Sequence, residues 1–91
     1  MFRYVALIDG RAGAYGLVIP DLPGCSSGGR TMDEAVRNAQ EAVSLWVGEM
    51  AAQGGMVPEP RTIEAAVADV EVAAAIAEGA ALAFVPLVGE G

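Results

Sequence analysis

Three side chains in this 91-residue sequence hold the most obvious chemistry: Cys25, Asp21 and Trp46. Cys25 is the only cysteine. A thiol becomes a nucleophile when a neighbour takes its proton or lowers its pKa. The chain has no histidine to do so, and the commonest general base and metal ligand goes with it. Cys25 therefore reads as a packing thiol at the start of a strand. A single cysteine also excludes an internal disulfide and the usual zinc spacings. Asp21 lies in the run Pro20-Asp21-Leu22-Pro23-Gly24-Cys25. An aspartate there anchors a turn by accepting backbone N–H bonds, and it is also the polar residue best placed to touch a partner. Trp46 falls on the apolar stripe of a helix, where it reads as core.

The elements that position these residues follow from pattern. Phe2 to Asp9 and Ala14 to Ile19 are rich in β-branched and aromatic residues and form a hairpin of two strands. Pro20 ends the second strand by removing a ladder donor. Leu22-Pro23-Gly24-Cys25 fits a type II turn, with proline presetting φ and glycine accepting a positive φ. Cys25 to Gly29 is a short, glycine- and serine-rich third strand. Thr31 caps a helix, with Glu34 three residues on to complete a capping box. The helix runs to about Ala52 and stops at Gln53-Gly54-Gly55. Its apolar stripe includes Ala35, Ala39, Val43, Trp46 and Met50 at helical spacing, and Asp33, Arg37 and Glu41 line its wet face at four-residue steps. Met56 to Pro60 is an extended connector, since two prolines forbid helix. Thr62 caps a turn over Ile63 to Ala68, and Asp69 a short alanine-rich helix from Val70 to Glu78. Ala81 to Val88 is the last strand.

These elements predict an α+β domain spanning residues 1–91, with order β-β-β-α-(short α)-β. The long helix returns the chain across one face, so the last strand lies parallel to the first in a four-stranded mixed sheet of order 3-2-1-4. Pro86 suits an edge strand. The first and last strands are apolar on both faces, and one long helix covers only one face. The surplus predicts a homo-oligomer, a dimer or tetramer, or a partner seated on the sheet. The expected interface residues are Asp21, Leu82, Phe84, Pro86 and Leu87.

The totals narrow the function classes. Net charge is −7, and the five basic residues are all arginines, scattered at positions 3, 11, 30, 37 and 61. No basic face forms, so the chain alone is not expected to bind nucleic acid. An acidic chain suits a basic protein partner instead. No apolar run approaches the about 20 residues needed to span a bilayer, and no leader pattern opens the chain. The expectation is a cytoplasmic protein without a cofactor.

The ordered set Tyr4, Pro20-Asp21-Leu22-Pro23-Gly24-Cys25, Gly29, Thr31, Glu34-Ala35, Asn38-Ala39, Glu41-Ala42, Pro58 and Pro60 resembles the HicB-type antitoxins of bacterial type II toxin–antitoxin systems. The resemblance covers nearly the whole chain. It implies a partial RNase H-like fold and a role in binding a small basic HicA-type toxin, an mRNA-cleaving RNase, by covering its active site. Many members carry a C-terminal DNA-binding domain, and this chain is expected to be a short form without one. The RNase H likeness also raises a metal-dependent nuclease, whose cation would need clustered carboxylates. The candidates are Asp9, Asp21, Glu34 and Glu41, and turn, cap and surface roles account for all four. The reading is therefore a non-enzymatic antitoxin with no catalytic or metal residue. The alternatives are that nuclease and an orphan oligomeric scaffold.

Overall fold

The computed structural model describes residues 3–87. Phe2 and Val88, which the strand patterns include, lie outside the described residues. In chain order the elements are β1 (Arg3–Arg11), β2 (Ala14–Val18), β3 (Ser26–Gly29), α1 (Met32–Ala52), α2 (Ile63–Ala68), α3 (Val70–Ala77) and β4 (Ala81–Pro86). The sheet order is β3-β2-β1-β4.

β1 runs two residues beyond Asp9. Gly10 adopts φ +104° within the strand, where an added Cβ would collide with Ala14 O. Glycine is the residue that takes such a conformation without strain. The turn falls later, at Ala12-Gly13, and Gly13 N donates to Arg30 O at 2.8 Å. At the other end of β2, Cys25 N donates to Leu22 O at 2.9 Å and Gly24 sits at φ +83°, as a type II turn requires.

The α1 caps match their sequence signals. Thr31 Oγ1 accepts from Glu34 N at 3.0 Å, and the Glu34 carboxylate accepts from Arg30 N at 2.7 Å. Gly55 N donates to Met50 O and Gly54 N to Ala51 O, with Gly54 at φ +75°. That is a Schellman stop, which satisfies carbonyls the helix leaves open. The four-residue charge steps Asp33, Arg37 and Glu41 close no salt bridge; among the described residues the ion pairs both belong to Arg61.

One expectation is overturned. β4 pairs with β1 antiparallel, Arg3 opposite Pro86 and Ile8 opposite Ala81. The sheet is antiparallel throughout, not mixed. The cause is a second traverse. α1 returns the chain to the end of the sheet where β1 begins. The connector is pinned there: the Tyr4 hydroxyl donates to Pro58 O at 2.7 Å. α2 and α3 then carry the chain back to the far end, so β4 enters beside Ile8.

The two faces are covered from different sides. On one, Tyr4, Ala6, Ile8, Leu17, Ile19 and Val85 pack with Ala35, Ala39 and Val43 of α1. On the other, Val5 and Leu7 of β1 are buried, and Leu7 and Val72 of α3 line one small cavity. α3 is small, yet it hides the centre of this second face. Apolar surface stays open at the margins, at Val18, Ile63 and Val67.

Candidate partner-binding surface

The two sheet edges differ in how they are finished. β3 is short and closed by α1. Ser27 Oγ donates to Ala35 O and Asn38 Nδ2 to Gly28 O, both at 2.8 Å. An added Cβ on Gly29 would lie 2.7 Å from Ala35 N. Glycine at this position lets the helix start sit directly on the strand.

Among the described residues no element closes β4 in this way. It is six residues long and carries no charged side chain, whereas exposed edges are commonly blunted by charge, bulges or a covering element. Its register sets its faces. Val85 opposite Tyr4 and Ala83 opposite Ala6 point to the α1 core, while Phe84 opposite Val5 and Leu82 opposite Leu7 share the second face. Leu82 and Phe84 are half-buried, and Leu87 packs against the core cluster just after the strand.

Beside Phe84 the surface opens into a cleft of about 520 Å³ between β4 and the start of α2. Arg3 forms its upper wall, with its guanidinium carbon 4.2 Å from the Phe84 ring centroid. That stacking is a cation–π contact. Ile63 adds apolar lining, and Glu59 and Glu64 stand at the rim. Neither glutamate closes a salt bridge among the described residues.

Arg61 fixes the wall opposite Arg3. Its Nε donates to Asp21 Oδ1 at 2.6 Å, its backbone N to Asp21 Oδ2 at 3.0 Å, and its Nη1 to Asp69 Oδ2 at 3.1 Å. Asp69 also caps α3, accepting from Glu71 N at 2.9 Å. One guanidinium thus ties the β2 exit, the connector and the α3 start together. These bonds, first to Asp21 and then to Asp69, hold the Arg61 pKa above its usual value. The Asp69 carboxyl is held below its ordinary range, first by the bond from Arg61 and then by the α3 amides. Tyr4 is pushed up by burial and, to a lesser extent, by the Asp21 charge.

The expected interface residues therefore divide. Leu82, Phe84, Pro86 and Leu87 lie on or beside the open edge. The Asp21 side chain is only 6% exposed and both its oxygens are engaged by Arg61. It supports the cleft from behind. The sequence reading missed Arg61 itself, because its partner is 40 positions away and no local spacing signals such a pair. The Arg3–Phe84 stack was equally hidden, since it depends on the β1–β4 register.

The four candidate metal carboxylates do not converge. Asp9 and Glu41 are exposed on different elements, Asp21 is ion-paired, and Glu34 serves the α1 cap. Among the described residues no group of three or more His, Cys, Asp or Glu is placed to hold a metal ion. Burial raises the Cys25 thiol pKa, which keeps the thiol protonated and unreactive. No described helix is long and apolar enough to cross a membrane.

Comparison with known proteins gives this architecture a family. The chain is similar to the crystal structure of the Burkholderia pseudomallei antitoxin HicB, with 33% identity and a TM-score of 0.75 over 94% of this chain and 63% of that one. A chain of the HicA3 and HicB3 toxin–antitoxin complex shares the fold, at 24% identity and a TM-score of 0.74 over 93% of this chain and 96% of that one. In sequence, 50 residues are 40% identical to a 14.9 kDa protein of the rep-hol intergenic region of Haemophilus phage HP1, covering 55% of this chain and 38% of that protein. The chain thus spans less than two thirds of the phage protein and of the Burkholderia antitoxin. Residues 4–88 match the model of the HicB-like antitoxins of bacterial toxin–antitoxin systems, and the chain belongs to that family.

Proposed function

We propose that this protein binds a small basic HicA-type toxin and silences it by covering its active site, without catalysing a reaction itself. The observation that carries the reading is the finish of the sheet in a member of an antitoxin family: β3 is closed by α1, and β4 is open, uncharged and flanked by a cleft. An extended toxin segment adds to β4 as a further strand, a recurrent mode in which main-chain bonds give affinity and side-chain pockets give specificity. Leu82, Phe84, Pro86 and Leu87 form the contact, and Asp21 holds the cleft wall through Arg61. Glu59 and Glu64 at the rim offer counter-charges to a basic partner. A net charge of −7 speeds that encounter. In this reading the 1–91 domain, with a partial RNase H-like fold, works in the cytoplasm as a homo-oligomer, a dimer or tetramer.

The test begins with the small basic protein encoded beside this gene. Co-expression should restore growth to cells making that protein, and the two should co-elute on a sizing column. Phe84→Asp and Leu82→Asp should each weaken binding at least tenfold with far-UV dichroism unchanged. Absence of a complex, or a complex indifferent to both substitutions, would overturn the proposal.

A further inference from the structure

The opposite side of the molecule carries a second feature that the β4 edge does not explain. On α1, Glu41, Leu45 and Glu49 follow one another at four-residue steps. Residues one turn apart stack on the same face, so the three form a straight row. Leu45 at its centre is 66% exposed. Beside it a groove of about 230 Å³ runs between α1 and the turn entering β3, lined by Gly24, Cys25, Ala42, Leu45, Trp46 and Glu49. The Trp46 indole N–H already donates to Pro23 O at 2.9 Å. What the indole presents to the groove is therefore apolar ring.

We infer that this groove docks a cationic amphipathic segment of a protein partner. One apolar side chain of the segment sits over Ala42 and Trp46 against Leu45. Lysine or arginine side chains one turn to either side meet Glu41 and Glu49. Charge decides the occupant. Neither glutamate closes a salt bridge among the described residues; Arg37 stands one turn before Glu41 on the same row, and α1 carries no cation after Leu45. A second copy is disfavoured, because two-fold packing centred on the groove residue Leu45 would set Glu41 against Glu49. A neutral apolar segment would leave both charges unmet at the rim. The groove borders β3, at the far edge of the sheet from β4. The two surfaces can be filled together, and this inference stands whether or not β4 binds a toxin.

Trp46 is the only tryptophan, so its emission reports on the groove. The probe is a synthetic 14-residue amphipathic peptide of lysine and leucine, titrated at physiological salt. A saturable blue shift is expected. Leu45→Ser, and separately Glu41→Gln with Glu49→Gln, should weaken binding at least tenfold. Glu71→Gln with Glu78→Gln, exposed positions on and after α3 with the same loss of charge, should leave it within twofold. A lysine–serine peptide of equal charge should bind at least tenfold more weakly. The inference fails if no saturable shift occurs, if the two paired variants weaken binding equally, or if the two peptides bind alike. It fails also if Leu45→Ser changes only the sedimentation of the protein alone, which would mark the groove as a contact between copies.

Discussion

Arg61 concentrates more of this structure than any other polar residue. Its bonds to Asp21, 40 positions away, and to Asp69, eight positions on, join the β2 exit, the connector and the α3 start. Hydrogen bonds to charged groups contribute about 1.5–3 kcal/mol, and the buried Asp21 would be left without its partner. Arg61→Ala should therefore lower stability by about 2 kcal/mol in urea titration, discounted from the fully buried case because Arg61 is one-third exposed. Arg61→Lys should recover only part of it, since an ammonium cannot reproduce the planar fork. The pH dependence follows from Asp69. Its folded pKa is depressed below the ordinary 3.8, so its contribution is complete above that value and is lost as pH falls through the folded pKa. The urea midpoint should drop on acidification below about pH 4, and Asp69→Asn should flatten that acid limb. Cys25 supplies a contrast. Buried and raised in pKa, it should resist alkylation at neutral pH in the native protein and react readily in urea. The sequence exposed this inertness through the lack of histidine. It could not expose the Asp21–Arg61 pair, which only the folded topology brings together.

At the scale of elements, local chemistry was legible almost throughout. The caps Thr31, Thr62 and Asp69 accept from the amides their positions predict. The Pro23-Gly24 turn and the Gly54 stop have the expected glycine conformations. These features depend on neighbours within a few residues, so pattern reaches them. Thr31→Ala should cost about 1 kcal/mol by chemical denaturation, the usual loss for an N-cap. Gly10 marks where pattern misled. The first strand was expected to end at Asp9, yet the ladder continues through Gly10 to Arg11. Gly10→Ala should destabilise more than a typical surface change, because it meets both a positive φ and the Ala14 carbonyl.

For the whole molecule, the strand order could be read and the direction of β4 could not. Order followed from hairpins and from Pro86. Direction turns on whether the chain crosses the sheet once or twice between β3 and β4. Ten connector residues followed by six- and eight-residue helices gave no local sign of a full second crossing. The same crossing sets α3 against the second face, where Val5 and Leu7 are buried and Leu7 shares a cavity with Val72, so less of the sheet is left for a partner than a single-layer domain would offer. Among the described residues what remains is the β4 edge with its cleft, and the margins at Val18, Ile63 and Val67, a narrower target than a face. Leu17, fully enclosed against α1, gauges the core: Leu17→Ala should cost about 2–5 kcal/mol, enough to unfold much of a marginally stable 91-residue domain.

The antiparallel pairing of β1 with β4 also brings the two ends of the described chain together. Arg3 faces Pro86, and residues opposite one another on such a ladder lie about 5 Å apart. Had β4 run the other way, six residues of strand would separate them by about 20 Å. A short glycine–serine linker joining Arg3 to Leu87 should therefore close residues 3–87 into a ring, and a circular permutant of those residues opened at Gly54-Gly55 should refold with the parent's dichroism and a similar melting temperature. Closing so short a loop costs little entropy, and the cut falls in an exposed turn. Such a permutant would free new termini at the end of α1, leaving both the β4 edge and the Leu45 groove in place for attachment to a surface or a reporter.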